Sequence, residues 1–245
     1  MDQPVYGATW AGYDAVVAAP SGARAARFTG ITGDWVAPAA DCNAGDPAQS
    51  SVWIGLGGAL ATAAVYGPLQ VGTDSDCSRG RPRYFAWYEA YPEPLQVVRL
   101  SISPGDSLAA TVSLDAAGRP TMTLDDETTH RHFTKLLRDV RVKPLATDSA
   151  EWIVEGPPRR EPMLTDFGSV TFTDATATQA DGAASHTGPV DDPAWGYTEP
   201  DVLGFDQSGV HQSAVERSAA PGPLDATGEG FTVSFGAGAT GLQAQ

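Results

Sequence analysis

Apolar and polar residues alternate singly along most of the chain, which is the period of a half-buried strand, and Gly, Pro, Asp or Asn interrupts at short intervals. The segments YDAVVAA, RFTGITGDWVAP, SSVWIGLGG, PLQVGTD, RYFAWYEAYP, VVRLSIS, LAATVSLD, TMTLDD, EWIVEGP, SVTFTDATAT and GFTVSFG are each expected to be strands. HFTKLLRDVRV, residues 132–142, could be helical, but it suits a solvated edge strand with protective charges at least as well. Residues 179–230 are richer in Gly, Pro, Asp and Ser and read as long loops, and residues 236–245 read as a frayed tail. No shift in composition marks a second domain. Residues 1–245 are therefore expected to form one all-β domain, an antiparallel β-sandwich.

Three of these strands carry polar groups that a plain apolar face would not hold. In EWIVEGP, alternation puts Trp152 and Val154 on one face and Glu151, Ile153 and Glu155 on the other. Taken alone, Glu155 reads as the solvated side of a one-sided sheet. In RYFAWYEAYP, Phe85, Trp87, Glu89 and Tyr91 share a face. A carboxylate between Trp87 and Tyr91 is costly to bury without partners, so this face suits a groove as well as a core. In PLQVGTD, Gln70 and Gly72 lie opposite Leu69 and Val71, and a primary amide on a groove wall can donate to an oxyanion.

Composition narrows the choice of partner. With 42% hydrophobic residues in 245, the chain can build a real core. Fifteen Lys and Arg against 30 Asp and Glu give a net charge of −15, which argues against nucleic acid and anionic membrane. No apolar run approaches the ~20 residues of a membrane span. The opening MDQPVYGATW has neither the basic nor the apolar region of a signal peptide, so the protein is either cytoplasmic or secreted with its leader absent from this chain. Cys42 and Cys77 form either one disulfide or two buried thiols. Their polar, turn-like settings, DCNAGD and SDCSRG, favour the disulfide, which implies an oxidising compartment. Closing that loop contributes roughly 3–4 kcal/mol on the chain-entropy model.

Common site patterns are missing: there is no G-x-S-x-G, H-E-x-x-H, C-x-x-C or Walker loop. Of the histidines His130, His132, His186 and His211, the pair in THRH could share a metal, but no carboxylate or cysteine accompanies it at ligand spacing. A solvated turn is the better reading, and neither metal nor cofactor is expected.

The ordered set TWAG (9–12), SVWIGLGG (51–58), LQVGTDSDC (69–77), YFAWYEAYP (84–92), SPGDSL (103–108), SAEWIVE (149–155) and DFGSVTFTDA (166–175) resembles the glutamic peptidases, also called eqolisins or peptidase family G1. The likeness runs from about Trp10 to Phe235. It implies a concanavalin-like β-sandwich with a concave substrate groove and a catalytic pair, Gln70 and Glu155. Family substrate-cleft positions fall on Trp10, Trp53, Asp74, Glu89 and Tyr91, and Cys42 with Cys77 resembles the disulfide of bacterial-type members. The chain departs from the pattern at Gly57, where the family usually has aspartate, at Thr9 in place of asparagine, and at Phe85 where fungal members have aspartate. The expected protein is a secreted monomer that acts on polypeptides.

Amide hydrolysis needs a base for water, a donor for the oxyanion and an acid for the leaving amine. The resemblance assigns the first and last roles to Glu155 and the second to the Gln70 amide. A glutamate of ordinary pKa, about 4.3, stays substantially ionised in mild acid, where a histidine base fails, so the expected activity is acid-acting. Two rival readings keep the fold. One is a non-catalytic carbohydrate- or peptide-binding sandwich that stacks sugars on Trp10, Trp53, Trp87 and Tyr91. The other is a glycoside hydrolase using Glu89 and Glu155 as its carboxylate pair.

Overall fold

The computed structural model describes residues 9–17, 27–43, 46–58, 68–139, 147–157, 163–181, 184–201 and 219–236. In chain order the strands are β1 (Trp10–Val16), β2 (Arg27–Val36), β3 (Ala48–Gln49), β4 (Ser51–Leu56), β5 (Leu69–Ser78), β6 (Arg81–Ala90), β7 (Gln96–Val97), β8 (Ser107–Leu114) and β9 (Pro120–Asp126). There follow β10 (Arg131–Leu136), β11 (Ser149–Glu155), β12 (Met163–Leu164), β13 (Ser169–Asp181), β14 (Ala184–Pro189), β15 (Tyr197–Asp201), β16 (Ala219–Pro221) and β17 (Phe231–Phe235). No helix occurs among the described residues, and none there is long and apolar enough to cross a membrane.

The strands form a nine-stranded and an eight-stranded sheet. In the first, β6, β5, β4, β11, β1 and β15 lie side by side, all antiparallel, with β7 on the outer edge of β6. The one parallel pair in this sheet is β3 with β12, two residues each at its margin. It departs from a wholly antiparallel expectation, and the long chain between the two strands makes it possible. The second sheet runs β10, β9, β8, β2, β13, β17, β16, with β14 also paired to β13.

Alternation explains why the sheets stack. On β8 and β9 every second residue is buried, and Leu108, Ala110, Val112, Met122 and Leu124 face inwards. Across from them Ile54, Leu69, Val71, Trp152 and Val154 complete the same core. Two indoles tie the layers as well as filling them. Trp152 Nε1 donates to the Thr32 carbonyl at 2.7 Å, and Trp35 Nε1 donates to Thr73 Oγ1 at 3.2 Å.

The central strands differ from a one-sided sheet. β1, β4, β5 and β11 are buried on both faces for most of their length. The outward residues Trp10, Trp53, Trp87 and Ile153, with Phe85 against them, form a second apolar cluster separate from the core.

Several segments differ from the sequence reading. HFTKLLRDVRV is an edge strand rather than a helix as far as Leu136, and residues 140–142 lie outside the described residues. Phe133 stacks on Tyr88 with ring centroids 5.7 Å apart, which anchors one face of β10, while Arg131 and Lys135 guard the edge. VVRLSIS pairs only at Val97; Leu100 and Ile102 turn inwards as core residues without joining a ladder. Residues 179–230 are not simply loops, for β14, β15 and β16 fall within them. Cross-strand pairing supplies what those polar sequences lack in propensity. His211 and the tail 237–245 lie outside the described residues.

Candidate active site

Antiparallel register sorts the outward face of the nine-stranded sheet into cross-strand rows. Trp10, Glu155, Ser51, Asp74 and Phe85 form one. Gly12, Ile153, Trp53, Gly72 and Trp87 form the next, and Asp14, Glu151, Gly55, Gln70 and Glu89 the third. Alternation along each strand puts all three rows on the same side. Gln70 and Glu155, far apart in sequence, thus flank the tryptophan row from its two sides.

Trp53 fills the space between them. Its Nε1 donates to Glu155 Oε2 at 2.9 Å, while Cζ3 would lie 2.9 Å from a Cβ placed on Gly55, in the Gln70 row. The indole therefore spans from one polar row to the other. Trp10 meets it edge to face at 5.1 Å and also hydrogen-bonds Glu155. Thr9 Oγ1 donates to the other carboxylate oxygen, Oε1, at 3.4 Å.

Glu155 retains some solvent access at the surface but is surrounded by protein atoms. Burial pushes its carboxyl up to about 7, against the donations from Trp53 and Trp10, and the charge of Glu89 adds to the rise. The ordinary glutamate pKa expected from sequence does not apply, because the apolar cluster removes water from the anion. Gln70 Nε2 donates to Glu89 Oε2, and burial raises Glu89 as well. Gln70 itself is only 6% exposed.

Asp74 Oδ1 accepts from Ser51 Oγ and from Trp87 Nε1, each at 2.6 Å. Burial pushes Asp74 up to about 7, and the charges of Asp76 and Glu155 push in the same direction. Tyr91 is the exception among the sequence candidates. β6 ends at Ala90, and Tyr91 sits in the following turn, 40% exposed, instead of sharing a strand face with Glu89. Ser51 and Thr9 contact the key carboxylates without having been singled out for that role; their signal was register, which appears only when strands pair.

Cys42 and Cys77 form a disulfide. Cys77 is buried on β5, in the strand that carries Gln70 and Asp74. Gly57, in place of the family aspartate, has a φ of 78°, a left-handed conformation that suits glycine. His130 stands in the β9–β10 turn and His132 on β10 opposite Asp125, and no cluster of His, Cys, Asp or Glu among the described residues could hold a metal ion.

The chain belongs to the glutamic peptidases: it is a member of the Peptidase A4 family, whose model matches residues 8–192. Aspergillopepsin-2 of Aspergillus niger is 34% identical over 145 residues, 58% of this chain and 49% of that protein, so the chain matches about half the length of this relative. Aspergilloglutamic peptidase from Aspergillus niger superposes with a TM-score of 0.54 at 29% identity, over 76% of this chain and 98% of that one. Scytalido-glutamic peptidase with a transition state analog inhibitor has the same fold, with a TM-score of 0.66 at 21% identity, over 93% of this chain and 98% of that one. SCP-B, described as a member of the eqolisin family in complex with the tripeptide Ala-Ile-His, gives 0.63 at 20% identity over 93% and 98%.

Proposed function

We propose that this protein is an endopeptidase that hydrolyses polypeptides with Glu155 and Gln70. The observation that carries this reading is the setting of Glu155. It is a buried carboxylate held by two indoles and a threonine, across the Trp53 ring from the amide of Gln70. Ionised Glu155 takes a proton from water as the oxygen attacks the scissile carbonyl. The neutral acid then returns that proton to the departing nitrogen. Gln70 Nε2 carries two N–H groups: Glu89 holds one, leaving the other for the tetrahedral oxygen.

The peptide ligand of SCP-B supports a polypeptide substrate. Trp10, Trp53, Asp74, Glu89 and Tyr91 are the residues assigned to substrate binding in this reading. Burial of Trp10, Trp53 and Trp87 to 4%, 0% and 2% leaves little ring face for sugar stacking, which weighs against a carbohydrate-binding module. Glu89 is engaged by Gln70, which weighs against its use as one of a glycosidase's two acids. The disulfide fits an oxidising, extracellular setting.

Because the base has a pKa of about 7, its ionised fraction falls about tenfold for each unit below that point. Activity then extends into mild acid and declines steadily there. The test is hydrolysis of an unfolded protein substrate by wild type and Glu155→Gln, with circular dichroism establishing equal folding. Cleavage by wild type alone is the expected result; equal cleavage by both would place the chemistry elsewhere.

A further inference from the structure

Among the described residues, the outward face of strands β1, β11, β4, β5 and β6 carries six carboxyl side chains: Asp14, Glu151, Glu155, Asp74, Asp76 and Glu89. The cations on that face of these five strands are two, Arg81 and Arg83, both at the start of β6. Alternation along β6 puts them on the side of Phe85 and Trp87, which belong to the outward cluster. Tyr84 and Tyr88, on the other side, pack against the core. In a chain of net charge −15, the basic part of this face is thus one end of a single strand.

That end is held in place. Asp46 accepts from the Arg79 amide at 2.9 Å and from the Gly80 amide at 2.5 Å, which fixes the turn between β5 and β6. The disulfide to Cys42 anchors β5 at Cys77, directly opposite Pro82. Arg81 and Arg83 are exposed, and neither makes an ion pair among the described residues. Asp76 stands opposite Arg83 in the ladder, yet its hydrogen bonds come from the Ser50 backbone and the Gln49 side chain. Nor are the arginines needed to guard a sheet edge. Pro82 lies between them, paired to β5, and a proline in a ladder offers no N–H on its outer side to a further strand.

Building on the peptidase reading of this face, we propose that Arg81 and Arg83 form a subsite that selects an acidic side chain of the polypeptide substrate, several residues from the bond that is cut. Charge complementarity carries the choice. Elsewhere on the five strands an acidic substrate residue meets carboxyls, and here it meets two guanidinium groups. Those groups bind carboxylates through paired N–H donors and stay charged at every working pH. Register sets the position. Arg83 lies one row beyond the Glu155 row and three strands from β11. With strands about 4.8 Å apart and rows about 7 Å apart, the two Cα atoms stand about 16 Å apart. Allowing for the length of the arginine side chain, that is about three to five residues of extended substrate.

The test uses internally quenched peptides with Glu, or its neutral isostere Gln, at the third, fourth or fifth residue on either side of the scissile bond. The assay is run at about pH 6, where a peptide Glu of pKa about 4.3 is ionised. In wild type, kcat/KM for Glu over Gln should exceed one on one side of the bond only, by about two- to fivefold, the usual size of an exposed ion pair. The preference should shrink in about 1 M salt, where the screening length is about 3 Å. It should vanish in Arg81→Gln/Arg83→Gln, and Arg81→Glu/Arg83→Glu should prefer Lys over Gln at the same position. Each ratio is taken within one variant, so a general loss of activity does not disturb it. A wild-type ratio at or below one at every position would overturn the proposal, and so would a preference that survives in the double Gln variant. The same peptides titrated into Glu155→Gln give ratios of Kd without turnover. If wild type cleaves no peptide while Kd still follows the arginines, the peptidase reading falls and the subsite stands. Cleavage with flat ratios in both assays keeps the peptidase and removes the subsite.

Discussion

At the scale of single residues, the indole of Trp53 is both apolar packing and hydrogen-bond donor, and these roles can be separated. Trp53→Phe keeps a large apolar ring but removes the N–H that favours the Glu155 anion. The pKa of Glu155 must then rise above its present position near 7, so the acid limb of kcat/KM should move to higher pH. A rate-against-pH profile checks this; an unmoved limb would mean that Trp10 and Thr9 suffice to hold the anion. Gln70→Ala should cost about 10²–10³ in kcat, the usual effect of losing one oxyanion donor, with the fold intact. Gln70 and Glu155 were singled out in the sequence by the motifs around them, which resemble a family; taken alone, Glu155 read as the solvated side of a sheet. The raised pKa of Glu155 was not legible. It depends on Trp10, Trp53, Trp87 and Ile153 closing over one spot, and they come from strands β1, β4, β6 and β11, which only the folded register brings together.

At the scale of elements, the tryptophan row works because Gly72, between its two indoles, lacks a side chain. A Cβ on Gly72 would stand 2.6 Å from Trp53 Cβ and would also run into the Val52 carbonyl. Neither can withdraw, since both belong to the paired strand β4. Gly72→Ala should therefore destabilise the protein by about 1–3 kcal/mol, measured as a lower urea midpoint at unchanged slope. Activity should fall further than stability explains, because the displaced indole carries its N–H away from Glu155. Strand identity was well marked by period-two alternation in EWIVEGP and PLQVGTD, and both are strands. Alternation did not reveal that β1, β4, β5 and β11 bury both faces, since their outward residues are Gly, Ser and Gln as often as Trp. Nor did it reveal β14, β15 and β16, whose order comes from partners: β13, β1 and β17 offer open edges to pair with. Tyr91 was misplaced for a related reason, because alternation predicts a face only as far as the ladder lasts.

At the scale of the whole molecule, the acidic composition and the buried carboxyls act in one direction. Burial pushes Asp74 and Glu155 up to about 7 and Asp76 up to about 6, and it raises Glu89 and Asp148. Asp34, on β2 in the second sheet, is pushed up to about 6 by burial and by the charge and hydrogen bond of Asp174. Each of these groups loses its proton more readily when unfolded, near the ordinary carboxylate value of about 4. Between about pH 4 and about pH 7 the folded state therefore binds more protons than the unfolded state, and stability falls as pH rises through that window. The depressed aspartates Asp115, Asp192 and Asp225 act oppositely, but they lie at the surface, where solvent screens them. The net charge of −15 at pH 7 adds self-repulsion on the same neutral side. Calorimetry should find Tm highest near pH 4 and lower at neutral pH, with a Tm that climbs towards neutrality as the contrary result. Asp34→Asn isolates one contribution, for it lies in the sheet that does not carry the groove. It should raise Tm at neutral pH, leave Tm in acid nearly unchanged, and leave kcat/KM where it was. If instead Asp34→Asn lowers Tm equally at every pH, the carboxyl pair with Asp174 is a structural bond and not a titrating load on the fold.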